Sequence, residues 1–202
     1  SKNLNILKNL DFKHGGNIHY FARKFNISLS DIIDASASIV PFSIPDFLKD
    51  ELCNQIKNES FRYYPEINLN QLKENIGSFH NIDPSCIMPG NGASEIITWV
   101  GYEAAKYRVN CLPAPGFVDY ERALNCWKAK YFYEQLPKNN FKDTKQPFPI
   151  QPKSDVLWIT NPHNPTGQLW DRKSLEGLIK NYKLVICDEA FLPLTPNGEN
   201  ES

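Results

Sequence analysis

The chain has 202 residues, 41% of them hydrophobic and 22% charged, with 22 Lys and Arg against 23 Asp and Glu. A net charge of −1 without a basic block excludes the concentrated positive face that holds nucleic acid or anionic membrane by counterion release. No apolar run approaches the roughly 18 residues of a membrane span, and the opening SKNLNILKNLDFKHGG lacks a signal-peptide core, so a cytoplasmic protein is expected.

Residues 1–33 read as a polar lead-in with short helix, with Ser30 and Asp31 as caps. Residues 34–45 form a Pro- and Ser-rich extended linker, where prolines oppose a helix. Residues 46–57 and 69–79 carry apolar residues at helical spacing, Leu69, Leu72, Ile76 and Phe79 in the second case. Residues 86–89 are a short apolar run read as a strand. A helix over 95–107 then opens from Gly90-Asn91-Gly92-Ala93-Ser94. Strands are expected at 109–112, 130–136, 155–160 and 184–188, helices at 119–128 and 173–182, and a loop over 137–152.

Short apolar strands alternating with helices of about ten residues imply parallel crossovers, hence an α/β fold: a mostly parallel sheet with helices on both faces. The division expected is an N-terminal segment, residues 1–45, followed by a larger domain, residues 46–202. The five cysteines, Cys53, Cys86, Cys111, Cys126 and Cys187, include no C-x-x-C pair, so no metal site is expected and buried free thiols are the default.

Ligands in such a sheet collect at the carboxyl ends of the strands. The Gly90–Ser94 turn entering a helix offers free N–H groups and the positive end of a helix dipole, a cradle for a phosphate. By itself it is more often a structural cap. Phe117, after Pro115-Gly116, is either a core aromatic or a ring stacked on a flat ligand. In Asn161-Pro162-His163-Asn164-Pro165-Thr166-Gly167, Asn164 is a turn former or an amide for a ligand oxygen. Asp188 ends an apolar strand, where a carboxylate requires a partner: a loop cap, or a cationic ring nitrogen. Together the four strand ends offer the handles of pyridoxal phosphate.

The order G-N-G-A-S-E, P-G-F, N-P-H-N-P-T-G and D-E-A-F resembles the pyridoxal-phosphate enzymes of the aspartate-aminotransferase-like fold. His14-Gly15-Gly16-Asn17, followed twenty residues later by Asp34-Ala35-Ser36-Ala37-Ser38, narrows the resemblance to the threonine-phosphate decarboxylase branch, close to histidinol-phosphate aminotransferases. The resemblance implies that Ala93 and Ser94 hold the cofactor phosphate, Phe117 stacks on the pyridine ring, Asn164 bonds the 3′ oxygen and Asp188 pairs with the ring nitrogen. Tyr64, in Arg62-Tyr63-Tyr64-Pro65, matches a tyrosine that reaches the other subunit's cofactor, which implies a homodimer. His14, Gly15 and Ser38, together with Asn164, would meet a small phosphorylated amino-acid substrate.

Three departures touch the substrate contacts: Ala35, Ser38 and Val40 stand where relatives carry Phe, Asn and Asn. Phe191 stands where aminotransferases carry Tyr, which favours the decarboxylase branch. The family's Schiff-base lysine lies downstream of D-E-A-[YF], and no lysine follows Lys183. The resemblance therefore implies an incomplete large domain preceded by an N-terminal small-domain segment, with an early strand deprived of its neighbours. Three functions follow: decarboxylation of L-threonine O-3-phosphate for cobalamin, a histidinol-phosphate-type aminotransferase, or a non-catalytic truncated product.

Overall fold

The computed structural model describes residues 15–40, 42–137 and 144–202. These described residues fall into two compact units, divided between Leu69 and Asn70. The first contains α1 (Ile18–Phe25), a 3-10 turn at Leu29–Asp31, and α2 (Asp46–Lys57). The cap of that turn is Ser28, whose hydroxyl accepts from the Ser30 N–H, while Ser30 and Asp31 lie inside the turn. A cap must precede the N–H groups it satisfies. Residues 32–40 and 42–45 are without helix or strand, as the prolines and serines require.

The second unit contains α3 (Asn70–His80), α4 (Ala93–Ala104), β1 (Asn110–Ala114), α5 (Asp119–Cys126), β2 (Tyr131–Gln135), β3 (Val156–Thr160), α6 (Arg172–Ile179) and β4 (Leu184–Asp188). The strands form one parallel sheet in the order β2-β1-β3-β4. All five residues of β3 are buried, as expected of a central parallel strand covered on both faces.

Side-chain alternation divides the core. Leu112, Val156 and Trp158 pack against Ile97 and Ala104 of α4 and against Tyr120, Ala123 and Leu124 of α5. Cys111, Leu157 and Ile159 face the other way, towards Phe148, Trp170 and Leu178 of α6. Helices thus cover both faces. α6 starts where the Asp171 carboxylate accepts from the Ser174 N–H at 2.8 Å.

Two expectations are corrected. Residues 86–89 form no strand: Pro84–Cys86 is a 3-10 turn capped by Asp83, and residues 87–89 pair with nothing in the sheet. A strand exists only through a neighbour, and none of the four strands flanks this run. The thiols also differ, since only Cys111 is buried and Cys53, Cys86, Cys126 and Cys187 are exposed. Cys111 alone points into the core from an inner strand. No helix among the described residues is long and apolar enough to cross a membrane.

Candidate cofactor site

Because every strand is parallel, the carboxyl ends of β1, β3 and β4 deliver the segments after Ala114, Thr160 and Asp188 to one edge of the sheet. The chain leaves β1 towards β2 and returns to β3 on the opposite side of β1, so the strand order reverses between β1 and β3. That crevice is where open α/β sheets bind ligands. Phe117 follows one of its strands and Asn164 the other.

The turn into α4, the anion cradle expected from the sequence, leaves backbone N–H groups open at the helix start. Gly92 has φ of 83°, a conformation that favours glycine. A Cβ on Gly90 would lie 2.7 Å from Ile96 Cγ1. The Asn91 N–H donates to Glu95 Oε2 at 2.5 Å, while the N–H groups of Ala93, Ser94 and Glu95 have no partner among the described residues, as for any first helical turn. The Ser94 hydroxyl donates to Asp119 Oδ2 (3.0 Å) and accepts from Arg122 (3.1 Å). Arg122 also pairs with the buried Asp119 and reaches Thr98 Oγ1. At Ser94 an anion would therefore meet the backbone N–H, the hydroxyl being engaged.

The loop after β3 holds itself rigid. Buried Asn161 accepts from the Trp170 N–H (2.8 Å) and donates to the Trp170 carbonyl (3.2 Å). His163 bonds Thr166 Oγ1 at 2.8 Å, and burial pushes its imidazole down to about 4, opposed in part by a hydrogen bond to the Pro115 backbone. The ring is therefore neutral near pH 7. Asn164, next to His163, is half-buried, and its amide has no hydrogen-bond partner among the described residues. The first asparagine of the motif is engaged by the Trp170 backbone, and the amide of the second has no partner among the described residues.

Asp188 has both oxygens held. Oδ1 accepts from the Ala190 N–H (3.0 Å) and Oδ2 from the Tyr120 hydroxyl (2.9 Å). Phe117 packs edge-on against Tyr120, ring centroids 5.5 Å apart. A cavity of about 270 Å³ between α4 and β4 has Ala93, Tyr120, Trp158, Asp188 and Ala190 in its wall, so the cradle and the carboxylate border one space. Ser94, Phe117 and Asn164 are not in that wall.

The remaining candidates belong to the first unit. The Gly16 N–H donates to Ser36 Oγ (2.9 Å), and a Cβ on Gly15 would overlap the Ser36 carbonyl, so the two glycines lie against the Asp34–Ser38 segment. Hydrogen bonds from Ser36 hold the Asp34 carboxyl below its usual range. Ser38 is exposed, Tyr64 is 100% exposed, and His14 lies outside the described residues. Sequence reasoning missed Tyr120, Thr160, Asp119 and Arg122. The signal available for Tyr120 was its place three residues after Phe117, in the first turn of the helix that follows.

Residues 30–199 match the family described as aminotransferase class I and II. The chain is similar to threonine-phosphate decarboxylase of Salmonella typhimurium, 30% identical over 191 residues, which cover 91% of this chain and 51% of that protein. It is equally similar to histidinol-phosphate aminotransferase of Hydrogenobaculum sp., 30% identical over 162 residues, covering 79% of this chain and 46% of that protein. The fold matches the crystal structure of histidinol-phosphate aminotransferase from Sinorhizobium meliloti in complex with pyridoxal-5'-phosphate. The TM-score is 0.72 at 13% identity, over 96% of this chain and 52% of that one. The chain spans about half the length of the curated relatives it matches.

Proposed function

This chain belongs to the aminotransferase class I and II family, whose members depend on pyridoxal phosphate, and on that premise we propose that its residues form the cofactor pocket of a decarboxylase of L-threonine O-3-phosphate serving cobalamin synthesis. The observation that carries the cofactor reading is the doubly held Asp188 carboxylate bordering the same cavity as the free N terminus of α4. The donor set fits the group: unpartnered N–H groups for a phosphate, an unpartnered amide at Asn164 for a phenolate oxygen, and an anion for a ring nitrogen.

When bound, pyridoxal phosphate supplies an electron sink for the pair left as a bond to Cα breaks. Asp188 keeps the ring nitrogen protonated, the N–H groups of Ala93 and Ser94 take the phosphate, Asn164 donates to the 3′ oxygen, and Phe117 covers one face of the ring. Tyr64 serves the pocket of a second subunit, which makes the active species a homodimer. Residues 1–45 serve substrate recognition, with His14, Gly15 and Ser38 as the candidates there, and Asn164 is the candidate beside the cofactor. The lysine that would carry the cofactor is not among these residues, since none follows Lys183.

The choice of the decarboxylase branch is supported by the contact of Gly15 and Gly16 with Ser36, which joins the two halves of the H-G-G-N and D-x-S-A pattern. The equal identity to a histidinol-phosphate aminotransferase favours that activity as the second reading. Assay of the complete gene product with each substrate decides between them. Release of CO₂ from threonine phosphate is expected; oxoglutarate-dependent turnover of histidinol phosphate without CO₂ would overturn the assignment.

A further inference from the structure

From the hydrogen-bond geometry we infer that Tyr120 and Thr160 are positioning residues, a buried two-hydroxyl relay that holds the Asp188 carboxylate oriented towards the cofactor ring nitrogen. The inference rests on the pyridoxal-phosphate reading of Asp188 and deepens it.

The relay follows from strand periodicity and register. β3 and β4 pair in parallel with Thr160 opposite Asp188. Val156 and Trp158 point to the face covered by α4 and α5, so the alternation of side chains puts Thr160 on that face too. Leu184 and Ile186 put Asp188 there by the same rule. Tyr120, in the first turn of α5, lies above both. Its ring is 3% exposed and packs on Trp158 at 5.1 Å and on Phe117 at 5.5 Å, so the hydroxyl has a fixed position. That oxygen is 2.7 Å from Thr160 Oγ1 and 2.9 Å from Asp188 Oδ2.

Proton counting sets the direction. An ionised carboxylate only accepts, and a phenol has one proton. The Tyr120 proton therefore goes to Asp188, and Thr160, 6% exposed, donates its own to the Tyr120 oxygen. Burial and the charge of Asp188 raise the Tyr120 phenol well above its usual range, so it stays a donor at any working pH. A chain of hydroxyls polarises each link. With the Ala190 N–H on Oδ1 and the Tyr120 hydroxyl on Oδ2, both carboxylate oxygens have a fixed direction.

A purely structural tie between α5 and the sheet predicts something different, and protonation of the ring nitrogen tells the two apart. The 202-residue chain, loaded with 15N-labelled pyridoxal phosphate, is examined by 15N NMR, and affinity is read from tryptophan fluorescence. The expected result is a protonated ring nitrogen in the parent chain. In Tyr120→Phe, which keeps the ring packing, the signal moves towards the unprotonated position and affinity falls about tenfold, as for loss of a hydrogen bond to a charged group. Thr160→Val moves both in the same direction by less, and Thr160→Ser restores them. Should Tyr120→Phe fail to fold, the Thr160 pair still decides, because that hydroxyl reaches Asp188 only through Tyr120. An unchanged 15N signal in Thr160→Val, with Asp188→Ala losing it, overturns the relay and leaves the cofactor reading standing. If Asp188→Ala itself changes neither signal nor affinity, the cofactor reading fails.

Discussion

Replacing Asn161 by alanine removes two hydrogen bonds from a place water does not reach. Asn161 and Trp170 are both 0% exposed, and the asparagine amide serves the Trp170 N–H at 2.8 Å and its carbonyl at 3.2 Å. Truncation orphans both backbone groups. A buried polar group without a partner costs about 1–3 kcal/mol, and shared relaxation around adjacent groups brings the sum to about 2–4 kcal/mol, or roughly 30- to 1000-fold in the folding equilibrium. For a chain of this size that is a fall of about 4–16 °C in Tm. Urea unfolding followed by tryptophan fluorescence measures it, with the loss in the midpoint and the slope unchanged. Asn164→Ala is the control, three residues along the same motif. Its amide has no partner among the described residues and its side chain is half-buried, so stability stays within about 0.5 kcal/mol while affinity for pyridoxal phosphate falls. Equal destabilisation by the two changes, or none at Asn161, would refute the division of labour.

The pH dependence follows from His163. Its folded-state value of about 4 lies below the ordinary 6.5, so the unfolded chain binds the extra proton between those limits. Stability is full above pH 6.5 and is lost as pH falls towards 4, by at most on the order of 3 kcal/mol; urea midpoints across that window should lose this slope in His163→Gln. Gly90→Ala, whose methyl would crowd Ile96 Cγ1, is expected to cost about 1–3 kcal/mol. Gly177→Ala, on exposed α6 with open space around it, should stabilise by about 0.5–1 kcal/mol, and calorimetry of the pair tests both. Cys111, whose thiol burial pushes up to about 12, should react with a thiol reagent only on unfolding, whereas Cys53, Cys86 and Cys126 react in the folded chain.

Much of the scaffold was legible from local pattern. Periodicity marked α2 at Asp46–Lys57 and β4 at Leu184–Asp188 to the residue, because helix and strand each repeat apolar side chains at their own spacing. The linker 34–45 was legible because proline forbids helix whatever its surroundings. The run at 86–89 misled for the opposite reason: its composition suits a strand, and strandhood depends on partners elsewhere in the chain. Burial of thiols failed as a default in the same way, since the side of the sheet a cysteine faces, and whether anything covers it, is a property of packing.

At the candidate site the motifs supplied types and order: glycines that permit the turn before α4, an asparagine in a proline-punctuated turn, an acid at a strand end. These are local demands, readable from spacing alone. The exchange among Thr160, Tyr120 and Asp188 was not readable. Their separations of 40 and 68 residues from Tyr120 close only when two parallel strands settle in register and a helix crosses above them. The engagement of the Ser94 hydroxyl by Asp119 depends likewise on the packing of α4 against α5. The amino-acid sequence by itself thus determined which chemical groups reach the sheet edge, because turn and strand propensities act within a few residues; only the tertiary structure decided which of those groups are already bonded to one another and which stand free for a ligand, because hydrogen bonds between distant segments exist only after the core has packed.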